Sequence, residues 1–178
     1  MGASRTTRGA ALSWGYRMIF LTVGTIFPFD RLTRAVDEWV PATGHEVFGQ
    51  LGELGMDNYR PKHYRWTERL TPVAFRARVQ QADLVVTHAG IGTIVTALTF
   101  GKPLVLLPRK PEYKEVVNDH QMETIRRFEG RSGISVALEP DALGQRLSET
   151  LAGSGRVSHL SESADDSLIA TIQNFIRG

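Results

Sequence analysis

Short apolar runs alternate with longer segments of helical periodicity along this chain. The apolar runs are nearly continuous, as in the strands of a parallel sheet that is covered on both faces. We predict strands at 18–24, 46–51, 64–69, 83–88, 103–108 and 134–138, and helices at 29–40, 72–81, 92–100, 116–128 and 141–151. This alternation indicates one Rossmann-like, doubly wound α/β domain with a mostly parallel sheet.

Residues that commonly begin or end helices support these boundaries. Thr71 and Pro72 suit the N-cap and first turn of one helix, and Asp141 suits the N-cap of the last predicted helix. Gly101 suits a helix C-terminus. Pro41 is expected to stop the first helix, because proline lacks an amide hydrogen and clashes with the preceding turn.

The two ends of the chain differ in composition from the predicted domain, 18–152. Residues 1–17 are polar, small and basic, and we predict a disordered extension there. Residues 153–164 are predicted to form a polar linker. A terminal amphipathic helix is predicted over 165–178, with apolar side chains on one stripe: Leu168, Ile169, Ile172, Phe175 and Ile176. This stripe is expected either to dock on a second subunit or to pack against its own domain.

The composition narrows the class of protein. A chain of 178 residues fits one domain with its own core. Without cysteine it has no disulfide and no thiolate zinc site, which suits the cytoplasm. A formal charge of +2 is too small to indicate a nucleic-acid-binding surface. The longest apolar run, 18–29, is shorter than the ~20 residues that cross a bilayer.

Candidate chemistry lies in the loops that follow the predicted strands, because ligands of open α/β sheets bind outside the carboxyl ends of the strands. After the first strand, Gly24 lets backbone amides approach an anion, and the Thr25 hydroxyl can hydrogen-bond it. A tight turn without a ligand would use the same residues.

The loop 88–93 (HAGIGT) joins a buried strand to a helix through Gly90 and Gly92. Free amides at this helix start, together with Thr93, are suited to a diphosphate. The spacing differs from the dinucleotide fingerprint, which has a third glycine and a later acidic residue. His88 alone would also fit a structural histidine, but beside these glycines it is expected near the phosphates or the sugar.

A third polar cluster begins the helix after the strand 103–108. It consists of Asn118, Asp119, His120 and Gln121. Capping alone would explain the first two residues but needs neither an imidazole nor an amide, and both of these groups suit sugar hydroxyls.

Two basic residues, Arg109 and Lys110, directly follow the same strand. They are expected either to pair with a phosphate or a sugar carboxylate, or to lie in a solvated loop.

Together these stretches resemble the C-terminal, donor-binding domain of glycosyltransferase family 28, especially its stand-alone form in two-component enzymes. The resemblance covers about 18–151 and rests on FLTVGTIFPFDRL, on ADLVVTHAGIGTIVTALTFGKPLVLLPR and on NDHQ followed by Glu123. Similar subunits act in the dolichol pathway as N-acetylglucosamine transferases and in bacterial exopolysaccharide synthesis as glucuronosyltransferases. The resemblance implies the C-terminal half of a GT-B fold.

The resemblance also implies an activity. It implies inverting transfer of a hexose or hexuronic acid from a UDP-sugar to a lipid-linked or polysaccharide-precursor acceptor. The leaving diphosphate is expected to be stabilised by amides and a helix dipole, with no metal or other cofactor. A membrane-attached, acceptor-binding subunit is the implied partner, so the protein is expected in the cytoplasm at the inner face of the membrane.

Residue roles follow from the same resemblance. Phosphate contacts are expected from Gly24, Thr25, Gly92 and Thr93, and sugar contacts from His120 and Gln121. The other residues expected to contact the substrate are Gly90, Thr96, Arg109, Asn118 and Asp119. His88 and His120 are the catalytic candidates, unless the general base lies on the partner.

The sequence departs from the family pattern at two positions. Thr96 stands where the family has a ribose-binding glutamate, and Asp119 stands where it has asparagine. The missing ribose-binding glutamate leaves open the alternative that the chain is a non-catalytic nucleotide-sugar-binding or regulatory module. A nicotinamide-dependent oxidoreductase is the other alternative, although the fingerprint of that class is absent from the sequence.

Overall fold

The computed structural model describes residues 17–117 and 120–153. This part of the chain forms one sheet of six strands: β1 (Met18–Thr22), β2 (Glu46–Gln50), β3 (Arg65–Thr67), β4 (Leu84–Thr87), β5 (Leu104–Leu106) and β6 (Ile134–Val136). The α-helices are α1 (Asp30–Thr43), α2 (Pro72–Gln81), α3 (Ile91–Thr99), α4 (His120–Phe128) and α5 (Pro140–Gly153), with a 3₁₀ turn at Pro111–Tyr113. No helix in these residues is long and apolar enough to cross a membrane.

The sheet has the strand order β3-β2-β1-β4-β5-β6, and all five pairings are parallel. The direction of winding reverses between β1 and β4, which is the switch point where such sheets bind ligands. Thr22 at the end of β1 pairs with Gln50 on one side and with Thr87 on the other. The expected doubly wound α/β domain is confirmed, and the switch point carries polar side chains.

Helices cover both faces of the sheet. Helices α1 and α5 pack on the face that receives Leu21 of β1, and α2, α3 and α4 pack on the face that receives Phe20. Successive residues of a strand point to opposite faces, so a strand buried on both sides is apolar at every position. This explains why the strands read as continuous apolar runs.

Helix α1 continues past Pro41 and ends at Thr43, so the expected stop at this proline is wrong. Proline leaves the carbonyl of Asp37, four residues earlier, without its helical donor. The ring nitrogen Nδ1 of His63 lies 3.1 Å from that carbonyl oxygen and replaces the missing amide. Gly44, in the left-handed conformation, then ends the helix.

Helix α4 begins at His120, four residues after the predicted start. The preceding segment is a loop in which Lys114 adopts a φ of 58°. The carboxylate of Glu115 turns back to the Arg31 side chain and to the Lys110 amide, which holds this loop outside a helix. At the other end of the domain, α5 begins at Pro140, so Asp141 lies in its first turn and not at the cap.

The terminal predictions fall largely outside the described residues. The extension predicted at 1–17 is described only at Arg17, and the linker predicted at 153–164 only at Gly153. The helix predicted over 165–178 lies wholly outside them. These three assignments stay predictions.

Candidate functional site

A cleft of about 630 Å³ opens at the carboxyl ends of β1 and β4, where the sheet changes direction. Its walls come from the loops after β1, β4 and β5 and from the start of α2. Nine residues predicted from sequence line it: Gly24, Thr25, His88, Gly90, Gly92, Thr93, Thr96, Arg109 and Gln121. The fold therefore brings together residues that lie almost 100 positions apart.

The N-terminus of α3 faces this cleft without a side-chain cap. Gly90 occupies the N-cap position and has no side chain to accept a hydrogen bond. The amides of Ile91, Gly92 and Thr93 therefore have no partner within the helix. A Cβ at Gly92 would meet no atom within 4 Å, so open space adjoins the helix start. Exposed amides and the helix dipole together suit an anion.

The imidazole of His88 fills the space between the two glycine loops. A Cβ added to Gly24 would come within 3.1 Å of its Cε1, and one added to Gly90 would overlap its Nε2. Gly24 also has a φ of +87°, which favours glycine. The ring's Nδ1 lies 3.3 Å from the Thr87 hydroxyl. Gly24 and Gly90 thus make room for His88, whereas Gly92 leaves open space.

His88 is uncharged at neutral pH. Burial, and then the positive charge of Arg109, lower its pKa to about 4, although a hydrogen bond with the Thr22 backbone acts in the opposite direction. A general base works best with a pKa near the working pH. The lowered pKa therefore favours a neutral imidazole, and its contacts with the glycine loops give it a structural role beside any hydrogen bond to a ligand.

Gln121 joins the ends of β4 and β5. Its Oε1 accepts hydrogen bonds from the amide of Ala89, at 3.2 Å, and from the amide of Arg109, at 2.9 Å. The side-chain amide nitrogen has no hydrogen-bond partner among the described residues and is available to a ligand. Gln121 therefore both fixes the cleft wall and offers donors to the cleft.

Arg109 lies under the cleft and is only 4% exposed. Its guanidinium donates to three carbonyls of the loop after β1: those of Val23 (2.9 Å), Phe27 (2.7 Å) and Pro28 (2.7 Å). Burial lowers its pKa to about 10, with Glu115 opposing the shift and Arg31 adding to it. The side chain thus supports the loop that carries Gly24 and Thr25.

An ion pair between Arg31 and Glu115 holds the loop between β5 and α4 in place, and the sequence did not predict it. The two carboxylate oxygens lie 3.0 and 2.8 Å from the guanidinium, whose Nη2 also donates to the Pro108 carbonyl at 2.8 Å. Glu115 lines the cleft, whereas Lys110 does not and pairs with Glu139 instead.

Among the described residues no cluster of three His, Asp or Glu side chains is placed to hold a metal ion.

The part of the cleft wall next to α2 is largely apolar, and the sequence did not predict it. Leu70, Pro72, Phe75 and Arg76 line it. They come from the start of α2, which follows the short edge strand β3. Ligands bind at the ends of parallel strands, so the position of these residues after β3 is the sequence signal that would have identified them.

The remaining predicted site residues lie elsewhere. His120 is exposed and is not among the residues that line the cleft. Asn118 and Asp119 lie outside the described residues. Large apolar side chains also lie at the mouth: Ile26 is 68% exposed and Phe27 is 65% exposed.

Comparison with known proteins identifies the domain. The sequence matches the model of the glycosyltransferase family 28 C-terminal domain over residues 18–171. The chain belongs to this family. This chain, called the family 28 domain below, is 33% identical over 121 residues to the UDP-N-acetylglucosamine transferase subunit ALG13 of Mus musculus. That match covers 61% of this chain and 10% of the mouse protein, so the chain spans a small part of this relative.

A second relative is matched over more of its length. The family 28 domain is 24% identical over 144 residues to the same-named subunit of Yarrowia lipolytica, which covers 71% of this chain and 68% of the relative. Among solved structures it is similar to Acinetobacter baumannii MurG, with a TM-score of 0.61 and 16% identity over 90% of this chain and 50% of that one. This likeness shows the fold, which is that of the GT-B glycosyltransferases.

Proposed function

We propose that this family 28 domain is the donor-binding, catalytic subunit of a two-component inverting glycosyltransferase. The observation that carries the proposal is the uncapped N-terminus of α3, which faces the cleft beside the open space at Gly92. A diphosphate placed there accepts hydrogen bonds from the free amides and lies at the positive end of the helix dipole. The same contacts strengthen as negative charge develops on the leaving group.

Two parts of the cleft wall orient the donor. Leu70, Pro72 and Phe75 offer an apolar wall, which suits a nucleobase, whereas Gln121 offers amide donors, which suit sugar hydroxyls. The nucleotide therefore extends toward α2 and the sugar toward α4. The transferred group is a hexose or a hexuronic acid, and the relatives' names make UDP-N-acetylglucosamine the first donor to test.

The general base is proposed to come from His120 or from the partner. His88 has a pKa of about 4, which makes it a weak base at neutral pH. Its neutral ring instead holds the glycine loops apart and offers a hydrogen bond to the phosphates or the sugar. The acidic residue of the described lining, Glu115, is engaged by Arg31.

An acceptor-binding subunit attached to the membrane is the proposed partner, which places this chain in the cytoplasm at the inner membrane face. The proposal is supported by the exposed Ile26 and Phe27 at the mouth of the cleft, since apolar patches often mark protein contacts. The curated relatives are named as subunits of a transferase. The partner would cover the cleft and supply the acceptor.

A donor screen tests the proposed function. Isothermal calorimetry with UDP-, GDP- and TDP-sugars and with NAD is expected to show binding of UDP-sugars, with UDP itself retaining much of the affinity. Binding of NAD instead would contradict the proposal and favour an oxidoreductase. Radiolabelled sugar transfer is then measured after the protein is added to membranes of its source organism. Donor binding without any transfer would indicate a non-catalytic module.

A further inference from the structure

Helix α3 presents one face along the cleft beyond its first turn. Gly92 and Thr96 are spaced by four residues, so they follow one another along this face at about 6 Å. Phe100, four residues further on, directly follows the helix. The Thr96 hydroxyl donates to the Gly92 carbonyl at 2.8 Å, and both residues line the cleft. A diphosphate at the first turn therefore leaves the second turn for the next part of a nucleotide.

Arg76 of α2 lines the same cleft as Thr96 and contacts the residue that follows α3. Its guanidinium carbon is 5.2 Å from the centre of the Phe100 ring, and its side chain lines the cleft. Among the described residues, the guanidinium makes no hydrogen bond or ion pair. The other two charged residues of the described lining are engaged, Arg109 by backbone carbonyls and Glu115 by Arg31. Arg76 is thus the charged lining group whose donors are available.

The position of Arg76 matches the ribose of a bound nucleotide. Its stacking on Phe100, at the C-terminal end of α3, places it away from the amides that would hold the diphosphate. The apolar wall of Leu70 and Phe75 is suited to the base. A guanidinium has several N–H donors, and ribose hydroxyl oxygens accept hydrogen bonds. We propose, on the basis of the proposed function, that Arg76 recognises the ribose of the donor by donating to its hydroxyl oxygens.

Arg78 provides a matched control. It lies on the same helix and also stacks on a phenylalanine, with its guanidinium carbon 3.9 Å from the centre of the Phe48 ring, but it does not line the cleft. Arg76→Met and Arg78→Met both keep a long apolar stem over the ring and remove the donors. Calorimetry is expected to show that Arg76→Met weakens UDP binding about tenfold, the loss of a charged hydrogen bond. Arg78→Met is expected to bind UDP as the wild type does.

Ligand truncation identifies the group that Arg76 contacts. The wild type is expected to bind UDP more tightly than 2′,3′-dideoxy-UDP, whereas Arg76→Met binds the two equally. Inorganic diphosphate should bind both proteins with the same affinity. An equal loss for diphosphate would assign Arg76 to the phosphates and overturn the proposal, as would unchanged UDP affinity in Arg76→Met. If the methionine variant melts early, Arg76→Gln is measured against the same ligands. A wild type that binds no UDP refutes the proposed function itself.

Discussion

Replacing Gly92 with alanine is expected to change stability and donor affinity in opposite directions. Gly92 lies in the first turn of α3, and its φ lies outside the left-handed region. A Cβ there would meet no protein atom within 4 Å. Alanine therefore fits the free protein without strain, and its methyl group enters the space where a diphosphate would approach the amides.

The two effects can be estimated separately. Glycine within a helix is less favourable than alanine by about 0.5–1 kcal/mol, so the free variant should melt about 1–4 °C higher. Displacing a phosphate oxygen from its amide donors removes a charge-assisted hydrogen bond of about 1.5–3 kcal/mol. The Kd for UDP should therefore rise about tenfold to a hundredfold.

Thermal denaturation without ligand and calorimetry with UDP measure these effects. Gly153→Ala is the matched control, because Gly153 is also a helical glycine whose Cβ would meet nothing within 4 Å. It lies in the last turn of α5, which packs on the other face of the sheet. The control should keep wild-type UDP affinity. A more stable Gly92→Ala protein with unchanged UDP affinity would refute the assignment of the diphosphate to this helix.

The pKa of His88 is about 4 in the native protein against 6.5 in the unfolded chain, so protons bind preferentially to the unfolded chain. Urea titrations at pH 7.5 and at pH 5 should therefore show that the wild type loses about 2 kcal/mol more stability between these two values than His88→Asn does. Gln121→Ala should have a lower melting temperature and discriminate less among UDP-sugars, because it loses the acceptor for the Ala89 and Arg109 amides. Gln121→Glu keeps that acceptor and should change mainly the discrimination among sugars. Equal losses of UDP and UDP-sugar binding would contradict this role. Sugar transfer should persist in EDTA, since amides hold the diphosphate; activity that is lost and then restored by magnesium would contradict it.

Local sequence signals predicted the fold well. The apolar runs identified all six described strands, and Thr71 caps α2 as expected, with its hydroxyl accepting from the Ala74 amide at 3.2 Å. Pro41 misled the prediction, because the partner that satisfies the freed carbonyl is His63, in a distant loop. Such long-range compensation leaves no periodic trace in the sequence.

The site was predictable where its residues follow a strand directly. Gly24 lies in the loop after β1, and Gly92 lies in the first turn of the helix after β4, so both reach the cleft through topology alone. Arg109 follows a strand too, but its burial depends on carbonyls more than 80 positions away. The pairing of Glu115 with Arg31 likewise joins residues 84 positions apart, and sequence patterns do not report such pairs.

An amide NMR titration with UDP tests the central claim most directly. In ¹H–¹⁵N spectra the largest shift changes are expected at the start of α3, at Ile91, Gly92 and Thr93, and at Gly24 across the cleft. Amides of α5, on the opposite face of the sheet, should change little. Saturable shifts confined to other parts of the domain, or no shifts at millimolar UDP, would contradict a donor site at this helix.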